Sequence, residues 1–150
     1  MHRRIPKLVW AALTAVSVSV HAANAVVQGY WREPSGAVLQ IARCEGTLCV
    51  EIVALSAANH PHVDVHNPNP ALRSRSLCGL RIGAGFFQSD PQHAQGGHLY
   101  DPRTGRTYRG SMTAEGDRLM LRGYIGIKLL GRTEIWTRAG TIARPCQPQK

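Results

Sequence analysis

The sequence is short of acidic side chains, with nine Asp and Glu against 18 Lys and Arg. After its first two dozen residues it has no apolar run long enough to cross a bilayer as a helix. The motifs of several common chemistries are also missing. There is no nucleophile elbow, no phosphate-cradling Gly-x-x-x-x-Gly-Lys and no His-Glu-x-x-His, and Cys44 and Cys49 are too far apart for a Cys-x-x-Cys redox pair. Ser, His and Asp are present, yet no catalytic motif groups them, so a non-enzyme is expected. Gly83-Ala84-Gly85 is a bare glycine pair that suits a bent strand better than a nucleotide. No internal repeat or low-complexity segment occurs.

At the amino end, Arg3, Arg4 and Lys7 precede an apolar run from Leu8 to Val20, and Ala23-Asn24-Ala25 follows with small residues. This is the pattern of a secretory signal peptide over residues 1–25, too short in its apolar part to remain as a membrane anchor. A soluble periplasmic or secreted protein is expected, cleaved near Ala25, with residues 26–150 as a single domain that is large enough to bury a core. The mature part keeps 15 basic and nine acidic side chains, a net charge of +6. The basic residues are scattered and not in runs, which in an exported protein argues against nucleic acid as partner. The charge leaves a solvated outer face, or anionic envelope material such as a lipid, as the match. All four cysteines lie in this part, and an oxidising compartment favours disulfides. Glu45-Gly46-Thr47-Leu48 makes a turn that sets Cys44 opposite Cys49, and Cys78 with Cys146 follows by elimination. One bridge with two free thiols stays open as the alternative.

What the chain has in quantity is short alternating runs with turn chemistry between them. Leu99-Tyr100, the turn Asp101-Pro102-Arg103-Thr104-Gly105, and Thr107, Arg109 and Ser111 alternating with Tyr108, Gly110 and Met112 read as a β-hairpin. Further strands are predicted at Ala37 to Arg43, Thr47 to Ala54, Leu77 to Phe87, Asp117 to Tyr124 and Thr133 to Arg138, with Ile125 to Leu130 a mixed turn or short helix. From Leu55 to Ser76 the pattern breaks, and Pro61, Pro68 and Pro70 forbid a regular helix or central strand. This one long loop is the place to look for a site. Seven or eight short antiparallel strands make an all-β domain, a barrel or a sandwich.

Two constellations invite chemistry. His60, His62, Asp64 and His66 alternate, so an extended segment would put all four on one face as ligands for zinc or copper, with His93 and His98 able to add to them. The other is Asp64 with Asn67-Pro68. Asp and Asn bond the backbone two residues on and Pro68 restricts Asn67, so the pair would staple the long loop. Asp64 as a catalytic carboxylate, with His66 or His98 as proton-transfer partner, is the sharper alternative. Tyr100 and Tyr108 are aromatic residues at strand spacing that suit a ligand cavity as well as an ordinary core.

Gly29-Tyr30-Trp31 on the first strand and Trp136-Thr137-Arg138 on the last resemble the pattern with which lipocalins and related calycins close one end of their barrel. That resemblance implies a small antiparallel calycin-like β-barrel with Trp31 as plug and Arg138 as its cation-π partner. With Cys44 and Cys49, Asp64 and Asn67-Pro68, Gly79-Leu80, Gly97, Tyr100-Asp101-Pro102 with Gly105, and Leu121-Arg122-Gly123, the chain resembles an uncharacterised bacterial exported family, domain of unknown function 2147. Tyr124 stands where that family often has a cysteine, and Ile125 to Arg132 is not matched to its pattern. The resemblance implies location and fold, not activity. Because the other end of such a barrel is its accessible concavity, the long loop is expected to cover a cavity for a small apolar or amphipathic envelope molecule. Asp64, Asn67, Tyr100 and Tyr108 would then serve the site without a cofactor, and arginines would hold an anionic head group at its rim.

Overall fold

A computed structural model describes residues 25–56, 61–142 and 145–146. The segment expected to be a signal peptide, apart from Ala25, lies outside the described residues, as does His60. Eight antiparallel strands follow one another around a closed barrel: β1 (Gly29–Arg32), β2 (Val38–Cys44), β3 (Thr47–Ala54), β4 (Arg81–Asp90), β5 (His93–Asp101), β6 (Arg106–Glu115), β7 (Arg118–Tyr124) and β8 (Arg132–Arg138). Each strand pairs with its neighbours in sequence, and β8 returns to β1 to close the sheet.

The alternation in the sequence sets which side chains enter the barrel. Leu48, Val50 and Ile52 of β3, Met112 and Ala114 of β6, and Leu119 and Leu121 of β7 are all buried. Three of the departures from the sequence reading have a visible local cause. The fourth strand begins at Arg81 and not at Leu77, because Leu80 N–H bonds back to Leu77 and Gly79 N–H reaches the Ile52 carbonyl, so Leu77 to Leu80 form a turn. The fifth begins six residues before Leu99, in a stretch whose Gly96 and Gly97 hide the alternation. The second runs one residue later, from Val38 to Cys44, with a bulge at Val38/Leu39 that buries both side chains. Both disulfides are formed, Cys44 to Cys49 across the β2–β3 hairpin and Cys78 to Cys146, with Cα atoms 5.8 and 5.4 Å apart.

Two of the glycines inside strands, Gly97 and Gly110, make room for a ring. Phe86 is fully buried, and a Cβ at Gly97 would overlap its ring while one at Gly110 would come within 2.9 Å of its Cε1. Three adjacent strands thus share one aromatic filler.

Trp31 fills one end of the barrel, fully buried, with its indole N–H bonded to the Val27 carbonyl at 2.7 Å. The Arg138 guanidinium lies 3.7 Å from the centre of its ring and donates to the carbonyls of Gln28 (2.9 Å) and Val26 (2.7 Å). Burial lowers the Arg138 pKa, against the opposing charge of Asp117. Gly29 completes the seat, since it has φ +126° and a Cβ there would stand 2.6 Å from Arg138 Nη1. The closing pattern is therefore a three-part cap: glycine for room, indole for a face, guanidinium for the lid.

Trp31→Ala is expected to cost about 3–5 kcal/mol, with Arg138→Ala less. In urea unfolding the double variant should fall short of the sum of the two by about 1 kcal/mol or more. Strictly additive losses would mean that the stack contributes nothing.

Candidate functional site

The turns β1–β2, β3–β4, β5–β6 and β7–β8 lie at the end of the barrel opposite Trp31, and there the interior opens into a cavity of about 320 Å³. Its walls are the inner faces of the strands, including Leu39, Ile52, Ile82, Leu99 and Trp136, and its roof is the long loop, which contributes Pro61, Val63, Val65 and Leu77. The lining is mainly apolar. Glu33, Asp101, Arg103 and Glu134 supply charge at the rim, and Arg103 is shared between Asp101 and Glu134 at 3.1 Å each. Burial disfavours the charged form of Arg103, but the two carboxylates outweigh it and its pKa is raised. Of the arginines expected at the rim to hold an anionic head group, Arg103 is the one in the lining.

Asp64 and Asn67 are 0% and 4% exposed, the two buried polar side chains among the described residues. Neither lines the cavity. Asp64 Oδ1 accepts from the Tyr100 hydroxyl at 2.6 Å, and Oδ2 accepts from Asn67 Nδ2 at 2.7 Å and from Arg75 Nε at 2.8 Å and Nη2 at 2.7 Å. Asn67 passes the order along the loop by accepting from Asn69 N–H and bonding Arg73 Nε through its carbonyl. Asn69 in turn caps the 3-10 turn Pro70–Leu72. Arg75 also lies over the Tyr100 ring, 5.6 Å from its centre. A side chain at Gly105 would collide with the His66 carbonyl, so the loop rests directly on the β5–β6 turn. These contacts make the loop a pinned roof built from buried, fully paired polar groups.

The electrostatics agree with that role. Burial on its own raises the Asp64 pKa, yet hydrogen bonds from Tyr100, Asn67 and Arg75 and the Arg75 charge prevail, and it falls below the ordinary 3.8. Burial, together with the neighbouring carboxylate, pushes Tyr100 up to about 12, which keeps its phenol a donor. Asp64 is thus an ionised anchor with both oxygens occupied, and neither His66 nor His98 is among its partners. Tyr100 serves both structures, as its hydroxyl holds Asp64 and it also lines the cavity. Tyr108 is half-buried on β6 and is not part of the lining.

The segment 62–66 is not extended, so the even alternation of His62, Asp64 and His66 is lost: Asn67 N–H closes a turn onto the Asp64 carbonyl. His62 and His66 line the cavity, whereas His93 begins β5 at the plugged end, bonded to Asp90, and His98 is exposed further along β5. Among the described residues no group of three His, Cys, Asp or Glu side chains is placed to hold a metal ion. Two participants escaped the sequence reading. Arg75 sits eleven residues from Asp64 with no local motif to join them, and Trp136, buried at the cavity wall, differs in sequence from an ordinary core residue only by its place one turn of the strand period before Arg138.

The depressed Asp64 pKa fixes the sign of an acid effect. Its stabilisation is fully present above pH 3.8 and is lost as pH falls further through the folded-state value. Asp64→Asn should cost about 3 kcal/mol at pH 7, the low end for breaking a buried pair because Arg75 is one-third exposed. Urea midpoints taken down to pH 3 should show that gap narrowing below pH 3.8. A gap independent of pH would show that the carboxylate charge is not what holds the loop.

Among functionally curated proteins none is detectably similar in sequence. Among solved structures the barrel is similar to protein HP1028 from the human pathogen Helicobacter pylori, described as belonging to the lipocalin family. The two share 20% identity over 76% of this chain and 83% of that one, with a TM-score of 0.68. At that identity the likeness is one of fold, and it agrees with the closed eight-stranded barrel. The family model for uncharacterised proteins conserved in bacteria, DUF2147, matches residues 29–138, from the glycine of the cap to its arginine. The chain belongs to the DUF2147 family.

Proposed function

We propose that this protein is an exported, periplasmic binder that holds a small apolar or amphipathic envelope molecule in the open end of its barrel, without catalysing a reaction. The observation that carries this reading is the roofed apolar cavity. Its volume of about 320 Å³ falls at the lower end of the roughly 300–1,000 Å³ typical of small-molecule sites, and its walls combine aliphatic residues with a few polar groups at the rim. A lipocalin-like barrel is a suitable frame, since one plugged end leaves one entrance. Two disulfides and the leader-like amino end support an oxidising compartment. The roof is held by Asp64, Asn67, Tyr100 and Arg75, so these residues serve binding by positioning the loop, and Tyr100 alone of them faces the ligand space.

The reading is tested on protein purified from the periplasm. Native mass spectrometry should detect a co-purified organic molecule, and a fatty acid or an environment-sensitive apolar dye should change the emission of Trp136, which lines the cavity. Leu99→Trp, which fills the space, should weaken binding about tenfold or more, and Asp64→Ala should weaken it by loosening the roof. Equal binding by the wild type and both variants would sink the proposal. Zinc or copper in place of an organic molecule would favour His60, His62 and His66 as ligands instead.

A further inference from the structure

The connection from Tyr124 to Arg132 presents the largest run of exposed aliphatic side chains described. Ile125, Ile127, Leu129 and Leu130 are 63%, 60%, 83% and 76% exposed, in a chain whose other aliphatic residues mostly enter the barrel. A flexible loop would fold such residues back on the protein, but this one is held. Arg122 donates from Nε to the Lys128 carbonyl, from Nη2 to the Leu129 carbonyl and from Nη1 to Thr133 Oγ1, each at 3.0 Å. Leu130 and Gly131 N–H close a 3-10 turn over Lys128–Leu130. Gly131 packs against the Gly123 carbonyl so closely that a Cβ there would stand 2.7 Å from it. The loop is therefore braced in a shape that keeps its aliphatic residues in water.

Charge says what such a surface suits. Lys128 projects within the tip, and Arg132 and Arg109 are exposed at its base on β8 and β6. Glu134, the nearest carboxylate along β8, is engaged by Arg103. Apolar tips ringed by cations complement an interface of acyl chains beneath anionic phosphates. The barrel itself does not enter such a layer, because the outward faces of its strands carry exposed Arg43, Arg81, Arg109 and Arg118. The tip belongs to the same end of the barrel as the cavity mouth.

We infer that the 125–130 loop is a membrane-docking tip that seats this end of the barrel on an anionic phospholipid bilayer. Four aliphatic side chains enter the interface, and Lys128 and Arg132 pair with lipid phosphates. The inference stands on the loop and not on what the cavity holds.

The test is flotation of the periplasmic protein with vesicles of phosphatidylethanolamine and phosphatidylglycerol in equal parts, against phosphatidylcholine alone. The wild type should float with the anionic vesicles, less so as salt is raised. Leu129→Ser with Leu130→Ser should reduce partition about tenfold or more while leaving near-ultraviolet circular dichroism unchanged. Lys128→Glu, which keeps the aliphatic residues, should weaken binding to the anionic vesicles alone. Absence of wild-type binding, or equal binding by the serine variant, overturns the inference. So does a wild-type dimer, seen by sedimentation, that the serine variant dissolves while no vesicle is bound, since the loop would then mate with a second copy. Dye uptake measured on the same samples separates the two readings: vesicle binding without dye uptake counts against the cavity alone, and dye uptake without vesicle binding counts against the docking tip alone.

Discussion

The barrel depends on a seam. Seven of the eight strand junctions join neighbours in sequence, whereas β1 and β8 come from opposite ends of the domain and share only the pairs Trp31 with Arg138 and Arg32 with Thr137. A junction that short gains little from its backbone hydrogen bonds, and closure rests on what is packed across it. The Arg138 guanidinium supplies that packing. It covers the indole, ties two carbonyls from the residues that precede β1, and requires Gly29 to be bare. Without it the short seam would rest on its backbone pairing alone, and the tryptophan would be unroofed.

The other residues on which the family resemblance was read work in the same structural way. Asp64, Asn67 and Tyr100 hold a loop, Gly105 lets that loop lie on a turn, Gly97 makes room for Phe86, and Arg122 braces the β7–β8 connection. They shape a hollow and its margins while leaving the hollow's lining to ordinary aliphatic residues. Residues that shape a fold in this way say little about what is bound.

Fold class was legible because period-two alternation survives wherever one strand face is buried, as in Thr47 to Ala54, where the bounds read from sequence and those of β3 coincide. It failed at His93 to His98, where small residues accommodate a ring contributed by another strand and leave no pattern of their own. At the site, the loop, the stapling role of Asp64 and Asn67 and the opposed plug were all readable, since turn chemistry and proline are local signals. Arg75 was not, because an ion pair across eleven residues depends on how the loop closes. The turn at Asp64 was not readable for the same reason, and it breaks the even alternation that the histidines would have in an extended segment.

Seam closure also orders events in time. A chain that appears amino end first can pair β2 with β3, and each later strand with the one before it, as soon as both are present. Trp31 has no such early partner on its other side: its indole waits for Arg138, more than a hundred residues later, and until then the growing sheet exposes both edges. Until β8 is in place the sheet is open along both edges, and pairing of the last strand closes it. Any truncation that removes β8 would leave behind a sheet prone to pair with other chains, not a slightly smaller barrel.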